Sequence, residues 1–286
     1  MTTIEQLGRS LRRRLRAAGV EADAFEADVL LTDCLGLTRA RRLAERDTPI
    51  ERLCTPAQCA LLEQAAARRE RGEPLQYVVG SWEFYGLPFA LGPGVLIPRP
   101  DTETLVDTAL RLLGRADTGA PVVYDLCAGS GCVAVAVAVH APQATVTAFE
   151  WSEAAFAFLQ RNIERNGAQV RAVRLDVLSS ALNGLPPADF VLSNPPYIPT
   201  GELAGLSREV RAEPLLALDG GEDGLRFYRR YVEAAHTLLR PGGWLVLEVG
   251  LGQADAVLRL LDAAGLRDTH CVSDAGGVER VVCGRL

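Results

Sequence analysis

The segment formed by Asn194, Pro195, Pro196 and Tyr197 combines residue types that can hold a planar NH₂ group. The prolines fix two φ angles at about −65°, and Pro195 keeps Asn194 out of the helical region, so the segment is stiff and extended. The Asn194 side-chain oxygen and the Pro195 carbonyl then supply two acceptors, and Tyr197 can lie against the flat face of the bound group. The segment predicts chemistry on an amide or amine nitrogen.

A glycine-containing loop lies earlier in the chain and consists of Cys127, Ala128, Gly129, Ser130 and Gly131. It follows a predicted strand and opens a predicted helix over residues 132–140. Glycines at such a turn let a ligand approach the backbone closely, and the free amides of the helix N-terminus point at that ligand. A tight strand–helix turn also needs glycine for steric reasons, so further residues are required to support a cofactor site.

Two acidic residues end the next two predicted strands. Glu150 lies 19 residues after Gly131, about where a carboxylate can accept hydrogen bonds from both hydroxyls of a ribose. Asp176 closes the third strand. Since the carboxyl ends of parallel strands meet at one edge of a sheet, we expect these residues and the loop to share a cleft that binds a nucleoside-containing cofactor.

The elements that must position these residues alternate between strand and helix after residue 100. This alternation predicts an α/β fold with a mostly parallel sheet covered by helices on both faces. The last two strands are separated only by Ser273–Val278, which is too short for a crossover, so they should pair antiparallel. The predicted strands cover residues 121–126, 144–150, 170–175, 188–193, 243–249, 266–272 and 279–284.

Residues 1–80 are predicted to form a small helical bundle. A helix over Pro56–Arg71 has Thr55 as its N-cap, and two other helices are indicated by apolar residues at helical spacing. Those apolar stripes are Ile4, Leu7, Leu11 and Leu15, then Phe25, Val29 and Leu30. An aromatic β-hairpin over Trp82–Ala90 lies in a linker, residues 81–98, that leads into a sheet domain over residues 99–286.

Composition excludes several classes of protein. The longest apolar run, Cys132–Val139, is too short to span a membrane, and no apolar segment of a secretory signal follows the N-terminal arginines. The 286-residue chain has a net charge of −6 and its composition supplies no basic patch, so we expect no direct binding to nucleic acid. The seven scattered cysteines and three distant histidines predict neither disulfides nor a metal site. We expect a cytoplasmic protein without membrane contact.

Three alternatives remain at this point. An adenine-amine DNA methyltransferase would also use Asn194–Tyr197, but it would need a basic groove. A dinucleotide-dependent oxidoreductase could use the pattern Gly129-x-Gly131-x-x-Ala134, and it would bind NAD. A non-catalytic binding module would have no need of the intact Asn-Pro-Pro-Tyr segment.

The chain resembles the release factor glutamine methyltransferase family, PrmC, also called HemK. The resemblance extends from about residue 72 to the C-terminal region, and the Pro-Arg-Pro-Asp-Thr-Glu stretch is its most specific part. The matching segments are Gly72–Tyr77, Val95–Glu103, Asp125–Gly131, Ser193–Ile198, Glu213-Pro214, Asp223–Leu225, Pro241–Gly250 and Arg280–Gly284.

This resemblance implies a Rossmann-like seven-stranded methyltransferase sheet, with its last strand antiparallel, after an N-terminal helical substrate-recognition domain. It implies methyl transfer from S-adenosyl-L-methionine, which leaves as S-adenosyl-L-homocysteine, to the glutamine side-chain amide in the Gly-Gly-Gln loop of peptide chain release factors. We expect a monomer.

The family pattern also assigns roles to residues. Cys127–Gly131 and Glu150 would bind the cofactor, with an adenine contact at Asp176 and Val177. Asn194 would touch cofactor and substrate, and Asn194–Tyr197 would be catalytic. The sequence departs from the pattern at Cys127-Ala128, where Gly-Thr is usual, and at Glu150, where Asp is more frequent.

Overall fold

The computed structural model describes residues 2–116 and 119–286. They form two compact units, and each is described by itself. The first contains Met1–Gly80 together with Arg208–Ala212, and the second contains Ser81–Ser207 together with Glu213–Leu286. The short segment Arg208–Ala212 belongs to the helical unit. The predicted domain boundary at residue 80 did not include this segment in that unit.

The first unit is helical, as the spacing of apolar residues predicts. Helices α1 and α5 begin with capping boxes, in which Thr3 pairs with Gln6 and Thr55 pairs with Gln58. Each pair satisfies two backbone amides that a helix start leaves without partners. The helices are α1 (Ile4–Ala17), α2 (Asp23–Leu35), α3 (Arg39–Ala44), α4 (Ile50–Leu53), α5 (Pro56–Glu70) and α6 (Leu75–Val79).

The predicted apolar stripe of α2 is wrong at one position. Phe25 is exposed, whereas Glu26 is buried on the same helix together with Leu30. A buried ion pair explains why α2 turns Glu26, and not Phe25, towards the interior. Arg69 of α5 donates two hydrogen bonds to the Glu26 carboxylate, at 2.5 and 3.0 Å. Glu209, from the short segment Arg208–Ala212, also pairs with Arg69.

The second unit begins with the predicted hairpin, formed by β1 (Ser81–Phe84) and β2 (Leu87–Ala90). Its large sheet contains the other seven strands of the described residues. They are β3 (Val122–Leu126), β4 (Thr145–Glu150), β5 (Val170–Arg174), β6 (Ala188–Ser193), β7 (Leu239–Glu248), β8 (Arg267–Ser273) and β9 (Glu279–Arg285).

The strand order β5-β4-β3-β6-β7-β9-β8 confirms the predicted α/β sheet. All neighbours from β5 to β7 pair parallel, and β9 pairs antiparallel with both β7 and β8. Strand β7 starts four residues before the predicted residue 243. Leu239 pairs with Ala188 and a register shift follows, so Pro241 and Gly242, which the prediction places before the strand, lie within it.

Helices cover both faces of this sheet. One face packs against α7 (Glu103–Leu113), α8 (Cys132–His140) and α9 (Glu153–Arg165) through a core that includes Leu105, Val135 and Leu159. The other face packs against α10 (Arg226–Leu238) and α11 (Ala254–Ala263), with Tyr228, Tyr231 and Leu261 fully buried. Within the described residues, no helix has both the length and the apolar character that crossing a membrane requires.

Candidate active site

A cleft that is partly open to solvent lies in the second unit at the carboxyl ends of β3, β4 and β6. This is the edge at which open α/β sheets bind ligands. The cleft brings together most of the predicted site residues, namely Cys127, Ala128, Gly129, Ser130, Glu150, Asp176, Val177, Asn194 and Pro196. The predicted residues Gly131, Pro195 and Tyr197 are not among those that line it.

The loop after β3 adopts an unusual backbone conformation. Cys127, Gly129 and Gly131 have φ angles of 61°, 56° and 81°. This left-handed conformation is energetically unfavourable for any residue that has a side chain. That explains why the family pattern usually has glycine at the position of Cys127. The Cys127 sulfur lies 3.3 Å from the Tyr231 hydroxyl, and this contact with α10 helps hold the strained residue in place.

Gly131 shapes the loop without lining the cleft. Its amide donates to the Ala128 carbonyl at 2.7 Å, closing the turn before α8. A Cβ atom at Gly131 would lie 2.4 Å from Cδ1 of the fully buried Leu159, so only glycine fits between the loop and α9.

Glu150 faces the loop from the end of β4. Its Oε2 accepts from the Gly129 amide at 2.8 Å, and its Oε1 accepts from the Ser152 amide at 2.7 Å. Burial raises the pKa of Glu150, while the backbone amides act in the opposite direction. Each oxygen keeps a further lone pair, so the carboxylate can still accept from two ribose hydroxyls.

Asp125 lies at the base of the cleft, one residue before the end of β3. It is buried and accepts a hydrogen bond from the Ala134 amide at 3.0 Å, which satisfies one of the first amides of α8. Burial raises the pKa of Asp125 to about 8. The carboxyl group therefore titrates within the neutral range.

The remaining wall of the cleft between β4 and β5 is apolar. It is lined by Phe149, which lies in β4, and by Val177 and Leu178, which follow the end of β5. Leu178 donates its amide to Asp176 Oδ1 at 2.9 Å, which fixes the turn after β5. A flat apolar base fits this wall, with Glu150 on one side to accept from the attached sugar.

Asn194 extends from the end of β6 into the cleft. Its Nδ2 donates to the Thr102 hydroxyl at 3.1 Å. The preceding Ser193 is fully buried and donates to the Leu126 carbonyl at 2.6 Å, so β6 is tied to β3 directly below Asn194.

Tyr197 is held beside the cleft by other contacts. Its carbonyl accepts from Gln253 Nε2 at 2.8 Å, and a Cβ atom at Gly250 would lie 3.0 Å from its ring. Burial raises the pKa of Tyr197 to about 12. The phenol therefore stays protonated at neutral pH and cannot act as a base.

The structure adds polar residues to which the sequence assigned no role. Arg99 and Thr102 line the cleft, and the buried Glu213 pairs with Arg99 and accepts from the Ile97 amide at 2.9 Å. Glu248, at the end of β7, is also buried. All four lie within segments that carry the family resemblance, so that resemblance was the sequence signal that could have identified them.

The strand order, the loop with its acidic partner and the Asn-Pro-Pro-Tyr segment after β6 define a Rossmann-like methyltransferase. Residues 103–206 match the family described as methyltransferase small domain, and residues 6–80 match the PrmC N-terminal domain. A methyltransferase from Pyrococcus furiosus shares the fold, with a TM-score of 0.51 and 19% identity over 81% of this chain and 98% of that chain.

Sequence relatives specify the family. The chain is 45% identical to a release factor glutamine methyltransferase of Geobacter sulfurreducens, over 96% of this chain and 94% of that protein. It is 43% identical to one of Moorella thermoacetica, over 98% and 97%. The chain belongs to the release factor glutamine methyltransferase family, and this membership sets aside the oxidoreductase and the non-catalytic module.

Proposed function

We propose that this enzyme methylates the side-chain amide nitrogen of the glutamine in the Gly-Gly-Gln loop of peptide chain release factors, with S-adenosyl-L-methionine as the donor. The observation that carries the proposal is the position of Asn194. It lies in the same cleft as the glycine loop and Glu150, and its Nδ2 is engaged by Thr102, which leaves Oδ1 as an acceptor.

The residues present fit the proposed cofactor. Glu150 would accept from the ribose hydroxyls, and Phe149 and Val177 would contact the adenine. The loop from Cys127 to Ser130 offers backbone amides to the amino-acid end. When bound, S-adenosyl-L-methionine supplies an electrophilic methyl group on its sulfonium.

The chain's own contribution is to orient a poor nucleophile. An amide nitrogen has little basicity because its lone pair is delocalised into the carbonyl. Acceptance of both N–H bonds by Asn194 Oδ1 and the Pro195 carbonyl would fix the NH₂ group and favour the growth of positive charge on nitrogen. As the new N–C bond forms, the nitrogen loses one proton to water. Positioning of this kind can contribute up to about 7–11 kcal/mol.

The helical unit is proposed to recognise the release factor. Residues 6–80 match a model that is described as the PrmC N-terminal domain, whereas the model that matches residues 103–206 is described only as a methyltransferase small domain. A partner that presents a Gly-Gly-Gln loop to the cleft needs a second contact to be distinguished from other exposed glutamines.

Intact-mass measurement of a purified release factor tests the proposal. The factor is incubated with this enzyme and S-adenosyl-L-methionine, beside a matched factor whose loop glutamine is changed to alanine. We expect one added methyl group on the first factor and none on the second. An equal increment on both would contradict the target, and no increment despite measurable cofactor binding would contradict the proposed substrate.

A further inference from the structure

We propose that Tyr231 is a positioning residue, which holds the glycine loop in its cofactor-binding conformation by tying Cys127 to β6. The inference rests on the proposed function, because that function assigns the loop to S-adenosyl-L-methionine. Tyr231 lies on α10 and is not among the residues that line the cleft. It also lies outside the segments that carry the family resemblance.

The Tyr231 hydroxyl lies between the loop and the strand that leads to Asn194. Tyr231 is fully buried, and its Oη is 3.3 Å from the Cys127 sulfur and 3.1 Å from Ser193 Oγ. Ser193 is the last residue of β6 and directly precedes Asn194. One side chain on a helix therefore contacts both the start of the loop and the end of the strand.

The hydrogens of these contacts can take only one arrangement. Ser193 Oγ donates to the Leu126 carbonyl at 2.6 Å, because a carbonyl oxygen can only accept. Ser193 therefore accepts from Tyr231, and the Tyr231 oxygen in turn accepts from the Cys127 thiol. Burial raises the pKa of the Cys127 thiol, so its hydrogen is present at neutral pH. The chain of hydrogen bonds starts at Cys127 and ends at the residue before it.

Cys127 needs this restraint because its backbone conformation is unfavourable. Its φ of 61° lies in the left-handed region, which is costly for a residue with a Cβ atom. Removal of the Tyr231 hydroxyl takes away the acceptor of the thiol hydrogen and lets Cys127 relax towards negative φ. A cofactor then finds only a fraction of the molecules with the loop in place, so its apparent Kd rises.

Calorimetric titration of S-adenosyl-L-methionine into Tyr231→Phe tests the inference. The matched control is Tyr228→Phe, because the buried Tyr228 hydroxyl lies on the same helix but donates to the Glu248 carbonyl at 2.9 Å. Both variants lose one buried hydrogen bond and should lose similar Tm, but only Tyr231→Phe should raise the Kd, by about two- to tenfold. At saturating cofactor kcat should change little, because the bond from Ser193 to Leu126 is kept.

Substitutions of Cys127 separate this restraint from general packing. Alanine keeps the unfavourable Cβ atom without the thiol, whereas glycine accepts positive φ readily. We expect a higher Kd in Cys127→Ala than in Cys127→Gly, and no further rise when Tyr231→Phe is added to Cys127→Gly. An equal effect of Tyr231→Phe in both backgrounds would overturn the inference, and so would a wild-type Kd in Tyr231→Phe. If Tyr231→Phe does not fold, the order of the two Cys127 variants decides.

Amide hydrogen exchange of the cofactor-free enzyme gives a readout that does not depend on the proposed cofactor. The Ala128 amide, next to Cys127, donates to the Phe149 carbonyl at 3.0 Å. It should exchange about two- to tenfold faster in Tyr231→Phe than in the wild type or the control. Unchanged exchange would contradict the restraint on the loop. Failure of the wild-type enzyme to bind S-adenosyl-L-methionine would instead overturn the proposed cofactor.

Discussion

The backbone amide of Gly129 donates to Oε2 of Glu150 at 2.8 Å, so the glycine loop and the end of β4, which both line the cleft, are held together. One carboxylate thereby shapes the loop and remains available to a ligand. Glu150 and Asn194 stand at the ends of different strands, β4 and β6, so the cofactor-binding role proposed for Glu150 and the catalytic role proposed for Asn194 can be tested by separate substitutions.

Replacement of Glu150 by alanine is expected to weaken cofactor binding. Hydrogen bonds to a charged group contribute about 1.5–3 kcal/mol each, and both proposed ribose contacts are lost, so the Kd for S-adenosyl-L-methionine should rise by at least about 100-fold. At saturating cofactor, kcat should change little. Calorimetric titration measures the Kd, and Glu164→Ala, an exposed change on α9, is the control. An unaltered Kd would exclude the proposed ribose contact.

Replacement of Asn194 by alanine is expected to reduce turnover. Loss of an acceptor that acts on the reacting nitrogen should lower kcat about 100-fold, by analogy with the removal of a single donor from an oxyanion hole. The Kd for S-adenosyl-L-methionine should change much less. Single-turnover methylation of the release factor measures the effect, with the exposed Asn183→Ala as control. A variant that loses only cofactor affinity would reverse the roles given to Asn194 and Glu150.

Alanine at Gly131 and at Gly129 should have unequal effects on stability. Both glycines have positive φ, which costs an L-residue about 1–2 kcal/mol. Only at Gly131 does the added Cβ meet another atom, Leu159 Cδ1 at 2.4 Å, and overpacking adds about 1–3 kcal/mol. Thermal denaturation should therefore show a larger drop in Tm for Gly131→Ala. Equal drops would mean that backbone strain alone is responsible.

The stability of the cofactor-free enzyme should fall as the pH rises from about 4 to 8. Burial raises the pKa of Asp125 to about 8, while its unfolded value is about 4. Between these values the folded state binds more protons than the unfolded state. The resulting stabilisation is complete below about pH 4, and it is lost with rising pH at up to about 1.4 kcal/mol per pH unit.

Urea denaturation across this range, on wild type and Asp125→Asn, measures the contribution. Asparagine can still accept from the Ala134 amide but does not ionise, so the loss of stability should become shallower. It should not vanish, because burial also raises the pKa of Glu248, to about 7. The same slope in both proteins would show that Asp125 does not bind the extra proton.

The ion pair between Glu26 and Arg69 should make the helical unit sensitive to a single substitution. Among the described residues, Glu26→Gln leaves the buried guanidinium with the half-exposed Glu209 as its one charged partner, and it should cost about 3 kcal/mol. Glu26→Leu combined with Arg69→Met should cost less than the sum of its single changes, because no charge is left buried. Denaturation midpoints of the full chain measure this, and strictly additive effects would contradict the coupling.

Local patterns in the sequence determined the order of elements and the edge of the sheet that forms the cleft. Strand-helix alternation predicts that β3, β4 and β6 end at the same edge of the sheet, so the loop, Glu150 and Asn194 were expected at that edge. The order β4-β3-β6, which makes them neighbours, is a property of the folded sheet. The short connection before β9 determined its antiparallel pairing. Helix starts at Thr3 and Thr55 likewise follow from neighbours three residues away.

Only the tertiary structure decided the contacts between distant parts of the chain. Thr102 and Asn194 are 92 residues apart, and Glu26 and Arg69 are 43 apart. Apolar periodicity indicates which face of a helix is buried, but it cannot show that a charged residue is buried beside an oppositely charged one. It therefore predicted that Phe25, and not Glu26, faces the interior. Such pairings depend on how side chains from several elements pack together. They cannot be predicted from the spacing or the types of residues along one segment.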